Sequence, residues 1–129
     1  MIATSLVCLA LTIFVESNNE PEKGKIAVAS VVMNRVDKNG STICDEITKP
    51  GQFPWAKHKI QKVHHGYTIS EKVLPKGTAW ETSLKIASEV ISGDTKVIPR
   101  ITSFHNSKES PRWKLRFAYK IGNHLFYYS

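Results

Sequence analysis

The chain begins with an apolar run that ends at a glutamate. No charged side chain occurs from Met1 to Val15, and Glu16 follows directly. A helix that crosses a bilayer needs roughly 20 apolar residues, so this run is too short to do so. A secretory signal peptide would begin with a positive segment and end at a cleavage site of small residues, and neither is evident. The run therefore predicts a buried first helix, with a signal peptide as the alternative.

The size and composition predict one globular domain that spans residues 1–129. The chain has 129 residues, of which 41 % are hydrophobic and 22 % are charged. These values are ordinary for a globular domain, and they exclude a collagen-like chain, a coiled coil and a wholly disordered chain.

The charge is concentrated near the end of the chain. The net charge is +7, and the only acid from Thr95 to Ser129 is Glu109. The basic residues of this stretch are Lys96, Arg100, Lys108, Arg112, Lys114, Arg116 and Lys120. A basic surface attracts polyanions such as nucleic acid, anionic lipid or acidic wall polymer. A merely solvated surface is the equally weighted alternative, because charge alone does not choose a partner.

Hydrophobic periodicity predicts three longer helices. The first covers residues 4–16, where apolar side chains recur at helical spacing. The second covers residues 20–37, and it begins with a proline between two acids, as helix starts often do. The third begins at Thr78, whose spacing to Glu81 is that of a capping box, and it ends before Gly93.

The rest of the chain is irregular or strand-like. Residues 57–63 are interpreted as a short helix, and residues 98–105 and 123–128 as strands that pair in an antiparallel ribbon. A basic, aromatic segment joins the two strands. The predicted fold class is α+β, mainly helical with a small antiparallel sheet or ribbon.

Glu16 is the most informative candidate for chemistry. Because it ends an apolar helix, part of its surroundings should be dry, which raises the pKa of a carboxyl group and suits a general acid. The plainer alternative is a surface acid at a helix end. Glu20 is a candidate second acid, although its position before Pro21 favours a role at the start of the next helix.

Other side chains leave several alternatives open. Gln52, Phe53 and Trp55 lie in a loop, with Tyr67 in the same irregular region, and they either bind a sugar or pin the loop to the core. The five histidines lack metal-ligand spacing, so no metal or cofactor is expected. The two cysteines, Cys8 and Cys44, either form one bridge or remain two buried thiols.

Several strings resemble the SleB-type (spore cortex-lytic) cell wall hydrolases. In chain order the matching strings are Leu9–Val36, Thr42-Ile43-Cys44, Pro50-Gly51-Gln52-Phe53, the tryptophan helix, Ser103-Phe104-His105-Asn106, Ser110-Pro111-x-Trp113 and Ile121-Gly122-Asn123-His124-Leu125-Phe126-Tyr127. The resemblance covers nearly the whole chain. Its beginning and its I-G-N-H-x-F-Y ending are the specific parts, and its middle is less specific.

The resemblance implies a lysozyme-like fold and a lytic transglycosylase that cleaves peptidoglycan without a cofactor. The first glutamate of the family's E-A-R-G-E string is catalytic, which carries over to Glu16. The family further implies a glycan groove lined by Gln52, Phe53, His105, Trp113, His124 and Tyr127. Here the string reads Glu16-Ser17-Asn18-Asn19-Glu20, so its Arg and Gly are missing, and Lys25 replaces a usual glutamine. These departures concern how Glu20 and the loop are held.

Three other functions remain open at this stage. One is a hydrolytic muramidase or glucosaminidase that uses Glu16, a second is a non-catalytic basic module that binds the cell wall, and a third is an inactive structural descendant. Nucleic-acid binding is not expected, because no recognisable motif for it is present. The small size is typical of a phage endolysin or of a compact accessory hydrolase, and either is expected to be a monomer that acts on the bacterial wall. Without a clear export signal, such an enzyme would stay in the host cytoplasm until release.

Overall fold

The computed structural model describes the whole chain, from Met1 to Ser129. Its helices are α1 (Ser5–Ser17), α2 (Glu22–Asn39), α3 (Ile43–Thr48), α4 (Ala56–Lys59) and α5 (Thr78–Ser92). Its strands are β1 (Ile60–Val63), β2 (Gly66–Ile69), β3 (Ile101–Asn106), β4 (Arg116–Ile121) and β5 (His124–Tyr128). The predicted class, mainly helical with small antiparallel sheets, is confirmed.

Helix α1 lies at the centre of the larger core. Leu9, Leu11 and Ile13 are fully buried, and the helix packs against α2, α3 and α5. The side chain of Thr4 caps the helix by accepting a hydrogen bond from the Val7 backbone N–H at 3.3 Å. The prediction of a buried first helix is confirmed, because a segment that is apolar on most faces needs neighbours all round.

A smaller core joins α2 to a three-stranded sheet. Ala27, Val28 and Val31 of α2 form one buried cluster with Ile101 and Phe126. The sheet has the strand order β3-β5-β4, and both pairings are antiparallel. The predicted pairing of the strands at residues 98–105 and 123–128 is therefore confirmed, with β3 beginning three residues later than expected.

The strand β4 was not predicted, because its sequence is that of a charged linker. Every side chain of this strand is exposed or only half-buried, and Phe117 and Tyr119 are among the exposed aromatic residues. It pairs only with β5, so it is an edge strand, and exposed Lys or Arg side chains are a common feature of such edges. Pairing with β5 across the two-residue turn at Gly122 and Asn123, rather than a buried face, holds it in place.

Two local predictions are wrong. The expected helix at residues 57–63 ends at Lys59, and Ile60–Val63 instead pairs with Gly66–Ile69 in a hairpin. The first turn of α5 has no capping box, because Gly77 occupies the N-cap position and Thr78 is already helical. In the first case pairing with the next strand outweighs the helical spacing. In the second case the helix begins one residue earlier than the capping-box spacing requires.

Cys8 and Cys44 form a disulfide that links α1 to α3. Their Cα atoms are 5.5 Å apart, and 36 residues separate them in the sequence. Of the two alternatives that the sequence left open, the structure therefore shows the bridge.

Candidate functional site

Glu16 lines a cleft between the helices and the three-stranded sheet. Glu16 lies in the last turn of α1, and the cleft has a volume of about 680 Å³. The opposite walls come from α2, from the loop at residues 51–54, from β3 with the loop that follows it, and from the start of β5. The end of a rigid, buried helix thus holds one acid at a fixed place in a groove.

Burial changes the acidity of Glu16. The pKa of its carboxyl group is raised, mainly by burial, and the charge of Glu109 raises it further. Trp55 acts in the opposite direction, because its indole N–H donates a hydrogen bond of 3.0 Å to Oε2 of Glu16. The other carboxyl oxygen has no hydrogen-bond partner within the chain. Glu16 is therefore a carboxyl group with one oxygen held in place and a raised affinity for its proton.

Aromatic side chains form the floor of the cleft. Phe53 is buried, and its ring centroid lies 6.0 Å from that of Trp55 and 6.3 Å from that of Phe104. The guanidinium carbon of Arg35 lies 5.8 Å from the Phe53 ring centroid, and its Nε donates a 2.7 Å hydrogen bond to the Thr102 carbonyl oxygen. Burial lowers the pKa of Arg35. These contacts link the loop, α2 and β3 into one wall.

His105 is held on one side of the cleft by a hydrogen-bonded stack. Its Nδ1 lies 2.7 Å from the carbonyl oxygen of Asn106, which can only accept. Neutral His105 therefore carries its proton on Nδ1, and the Tyr127 hydroxyl donates to Nε2 at 2.8 Å. The half-exposed Trp113 packs edge-on against both rings. Tyr127 thus orients the ring of His105 without lining the cleft itself.

His124 lies at the inner end of the cleft. Its side chain is buried, and its Nδ1 has no hydrogen-bond partner and lies 3.9 Å from Oε1 of Glu20. Burial lowers the pKa of His124, although Glu20 opposes this effect. The ring centroid lies 5.2 Å from that of Phe104, which is next to it in the cleft wall. We therefore treat His124 as a neutral ring at neutral pH.

Glu20 has a structural role, but a different one from the helix start that its sequence position favours. Its two carboxyl oxygens accept hydrogen bonds from the backbone N–H of Asn123 at 2.6 Å and from the side-chain amide of Asn123 at 3.1 Å. The buried ammonium group of Lys25 donates to the Glu20 carbonyl oxygen. Glu20 therefore fastens the turn between β4 and β5 to the start of α2, and it is not part of the cleft wall.

We expect Gly122→Ala to destabilise the fold by about 2 kcal/mol or more. Gly122 has φ +58°, and a Cβ atom there would overlap Oε1 of Glu20. Urea unfolding measures the loss. Gly40→Ala is the matched control, because Gly40 has a similar φ of +63° with open space around it. Equal losses in both variants would show that the contact with Glu20 contributes nothing.

The structure brings most of the predicted site residues together. Five of the six predicted groove residues line the cleft with Glu16, namely Gln52, Phe53, His105, Trp113 and His124. Tyr127 is not part of the lining and contacts the cleft only through His105. Tyr67 lies away from the cleft, where its hydroxyl hydrogen-bonds the carboxylate of Asp45.

Two residues of the site were missed, and the contact made by a third was not predicted. Arg35 belongs to the V-x-N-R-V string of the resemblance, which is the signal that could have identified it. Trp55 was predicted either to bind a sugar or to pin the loop, and nothing local indicates that its indole N–H donates a hydrogen bond to Glu16. Glu109 lines the cleft as a second carboxylate, and its Oε1 accepts a 3.1 Å hydrogen bond from the Asn106 backbone N–H.

The chain has neither a cluster of metal-ligating side chains nor a helix that could span a membrane. No group of three or more His, Cys, Asp or Glu side chains lies close enough together to hold a metal ion. No helix has both the length and the apolar character that crossing a membrane requires.

Comparison with known proteins places the chain in a family. Residues 19–127 match the sequence profile described as Cell Wall Hydrolase. The match begins after Glu16 and does not test that residue. A comparison with curated protein sequences found no match.

A solved structure shares the fold. It is the catalytic domain of the germination-specific lytic transglycosylase SleB from Bacillus anthracis, with a TM-score of 0.69 and 23 % sequence identity. The alignment covers 95 % of this chain and 93 % of that one, so the expected lysozyme-like α+β fold is confirmed. Because its sequence matches the family profile over most of its length, this chain belongs to the cell wall hydrolase family and is an enzyme that acts on peptidoglycan.

Proposed function

We propose that the protein is a peptidoglycan lytic transglycosylase that cleaves the bond between N-acetylmuramic acid (MurNAc) and N-acetylglucosamine (GlcNAc), with Glu16 as its general acid and base. The observation that carries the proposal is one half-buried carboxyl group with a raised pKa at the wall of an aromatic cleft. A raised pKa keeps a proton available near neutral pH, which donation to a glycosidic oxygen requires. The SleB domain that shares this fold is itself named a lytic transglycosylase.

The reaction needs only one carboxyl group. Glu16 donates its proton to the bridging oxygen as the bond from that oxygen to the muramic C1 breaks, and GlcNAc leaves with a free hydroxyl. The resulting carboxylate then accepts the proton of the muramic 6-hydroxyl as its oxygen bonds to C1. The product is a 1,6-anhydro ring, and Glu16 is protonated again. Because no water enters, no second carboxylate is required to activate one, in contrast to ordinary glycosidases.

The other cleft residues suit a sugar chain. Phe53 and Trp113 offer apolar rings to the apolar faces of pyranose rings, while the Gln52 amide offers both a donor and an acceptor to hydroxyl and acetamido groups. His105 and His124 contribute their imidazole rings to the sheet side of the cleft. We propose that these five residues position the glycan strand beside Glu16.

Hydrolysis is the second candidate, and Glu109 is the observation that favours it. This carboxylate lines the same cleft and could activate a water molecule, as the second acid of an inverting glycosidase does. Its hydrogen bond with Asn106 holds one oxygen in the loop turn, which favours a structural role instead.

Product analysis in heavy-oxygen water separates the two reactions. Purified peptidoglycan is digested in water enriched in oxygen-18, and the fragments are identified by mass spectrometry. A transglycosylase yields anhydro ends without the heavy isotope. Reducing ends that carry oxygen-18, and that disappear in Glu109→Gln, would instead establish hydrolysis. A digest without soluble fragments would contradict both reactions.

Substitution of two neighbours of Glu16 should shift the alkaline limb of the pH profile of kcat/KM in opposite directions. Glu16 must be protonated to act as an acid, so the rate falls as the pH rises through its pKa. Trp55→Phe removes the hydrogen bond that lowers this pKa, and the alkaline limb should move to higher pH. Glu109→Gln removes a charge that raises it, and the limb should move to lower pH.

Trp113→Phe is the control for this pair of variants. It changes a tryptophan of the same cleft that makes no hydrogen bond with Glu16, so KM is expected to change while the alkaline limb stays in place. Shifts of Trp55→Phe and Glu109→Gln in the same direction would contradict the assignment of this limb to Glu16.

We also propose the compartment in which the enzyme acts. The disulfide between Cys8 and Cys44 favours an oxidising compartment, such as the cell wall outside the membrane. We propose that the chain acts there as a one-domain monomer, and gel filtration with light scattering measures its oligomeric state.

A further inference from the structure

The cleft continues beyond Gln52 into a side groove. The first part of the groove, of about 290 Å³, shares Arg35, Gln52, Ser103 and Leu115 with the cleft wall. It then joins a second hollow of about 490 Å³ through the shared residues Lys38, Thr102 and Ser129. Because neighbouring hollows share lining residues, they lie side by side, and a substituent of a polymer bound in the cleft could extend along them.

The far end of the groove carries three cations without ionic partners. Arg100 and Arg116 pack on the ring of Tyr128, with their guanidinium carbons 5.2 Å and 5.3 Å from its centroid, and Lys38 completes the lining. Asp37 is the one acidic side chain in this hollow. The two ion pairs found within 4.0 Å in the chain both lie elsewhere, so none of the three cations is in direct contact with a carboxylate. We call Lys38, Arg100, Arg116 and Tyr128 the basic pocket.

The backbone at Arg100 is strained. Its φ is +67°, and it is the one residue other than glycine with a positive φ in the chain. This conformation costs about 1–2 kcal/mol for an L-residue with a side chain. Such costs concentrate at sites where a side chain must be held in a particular place. In this conformation the guanidinium of Arg100 packs on Tyr128 and makes no ion pair within 4.0 Å.

We propose that the basic pocket binds a carboxylate of the stem peptide that hangs from the glycan strand, so that the enzyme prefers peptide-bearing strands. This inference rests on the proposed function, because the strand must lie in the cleft. Guanidinium groups match the planar geometry of carboxylates and bind them with two parallel hydrogen bonds. Since glycan and peptide are one molecule, binding of the strand raises the effective concentration of the peptide at the pocket.

The experiment compares two substrates that differ only in their peptides. Peptidoglycan is first treated with hydrofluoric acid to remove phosphate-bearing wall polymers, and half of it is then stripped of stem peptides by an amidase. The variants are Arg116→Gln and Arg100→Gly. The second variant removes a cation and also relieves the positive φ, so it should be no less stable than the wild type. Lys120→Gln is the matched control, because Lys120 is exposed on the same strand as Arg116 and lines none of these hollows.

On peptide-bearing strands, each variant should lower kcat/KM about 10-fold, the usual effect of losing one charge-assisted hydrogen bond. On stripped strands each should match the wild type, and Lys120→Gln should match it on both substrates. An equal loss on both substrates would overturn the proposal, as would no loss on either. A defect that appears only when the phosphate-bearing polymers are left in place would assign the pocket to phosphate and also overturn it.

Failure of this inference is distinguishable from failure of the proposed function. If the wild type digests both substrates and Glu16→Gln digests neither, the function stands whatever the pocket variants do. If the wild type releases no fragments from either substrate, the proposed function fails, and the pocket loses its basis with it.

Discussion

Glu16→Gln should lower kcat for the release of soluble peptidoglycan fragments by about three orders of magnitude, the middle of the range for removal of a general acid. Glutamine has nearly the same shape and keeps an oxygen that can accept the hydrogen bond from Trp55. It has no proton to donate to the glycosidic oxygen and no carboxylate to accept one afterwards. The measurement is fragment release, quantified by chromatography and mass spectrometry at saturating substrate.

The stability of Glu16→Gln is the control for this loss. Burial raises the pKa of Glu16 in the folded protein, so the folded state binds its proton more tightly than the unfolded state. The free energy of unfolding therefore falls as the pH rises from the unfolded pKa through the folded one. Glutamine removes this penalty, so the variant should be at least as stable as the wild type above that window.

Two results would contradict the role of Glu16. One is a Glu16→Gln variant that keeps more than about a tenth of the wild-type kcat, because such a loss is smaller than the loss expected when a general acid is removed. The other is an equally large loss in Glu109→Gln together with retention of activity in Glu16→Gln, which would transfer the acid role to the second carboxylate of the cleft.

The double variant Cys8→Ala, Cys44→Ala should lose about 4 kcal/mol of stability. The bridge closes a loop across a sequence separation of 36 residues, and cross-links of that length restrict the unfolded chain by about this amount. Native domains have only about 5–15 kcal/mol in total, so the loss is a large part of it. For a domain of this size the melting temperature should fall by roughly 15 °C, as measured by calorimetry.

A reducing agent provides the control for the disulfide. It should lower the melting temperature of the wild type toward that of the double variant, and it should leave the double variant unchanged. Cys8 and Cys44 are both buried, so part of the loss in the double variant is lost packing. A wild type whose melting point does not respond to the reducing agent after unfolding and refolding in its presence would contradict the role of the bridge.

Local sequence patterns were sufficient to predict the elements whose own residues form a hydrophobic face. The apolar run before Glu16 and the periodic stretch that became α2 each carry enough hydrophobic residues to require burial, whatever their partners. Strand β5 was predicted for the same reason, since its alternation buries His124 and Phe126. The strings that resemble the cell wall hydrolases added the family and directed attention to the residues that meet in the cleft.

Other features depend on contacts between distant parts of the chain. The position of Glu20 before Pro21 predicts a role at the helix start, whereas its carboxylate binds Asn123, which lies 103 residues away. Trp55 meets Glu16 across a separation of 39 residues. No local pattern reports such pairings, because each is set by how the helices pack on the sheet.

The sequence by itself therefore determined the helical framework, the family and an acid at the end of a buried helix, because these follow from local hydrophobicity and from recognisable strings. Only the tertiary structure decided that Cys8 bonds to Cys44, that the Tyr127 hydroxyl orients His105, and that a side groove lies between the cleft and the basic pocket. Each of these depends on distances between side chains far apart in the chain, and packing alone sets those distances.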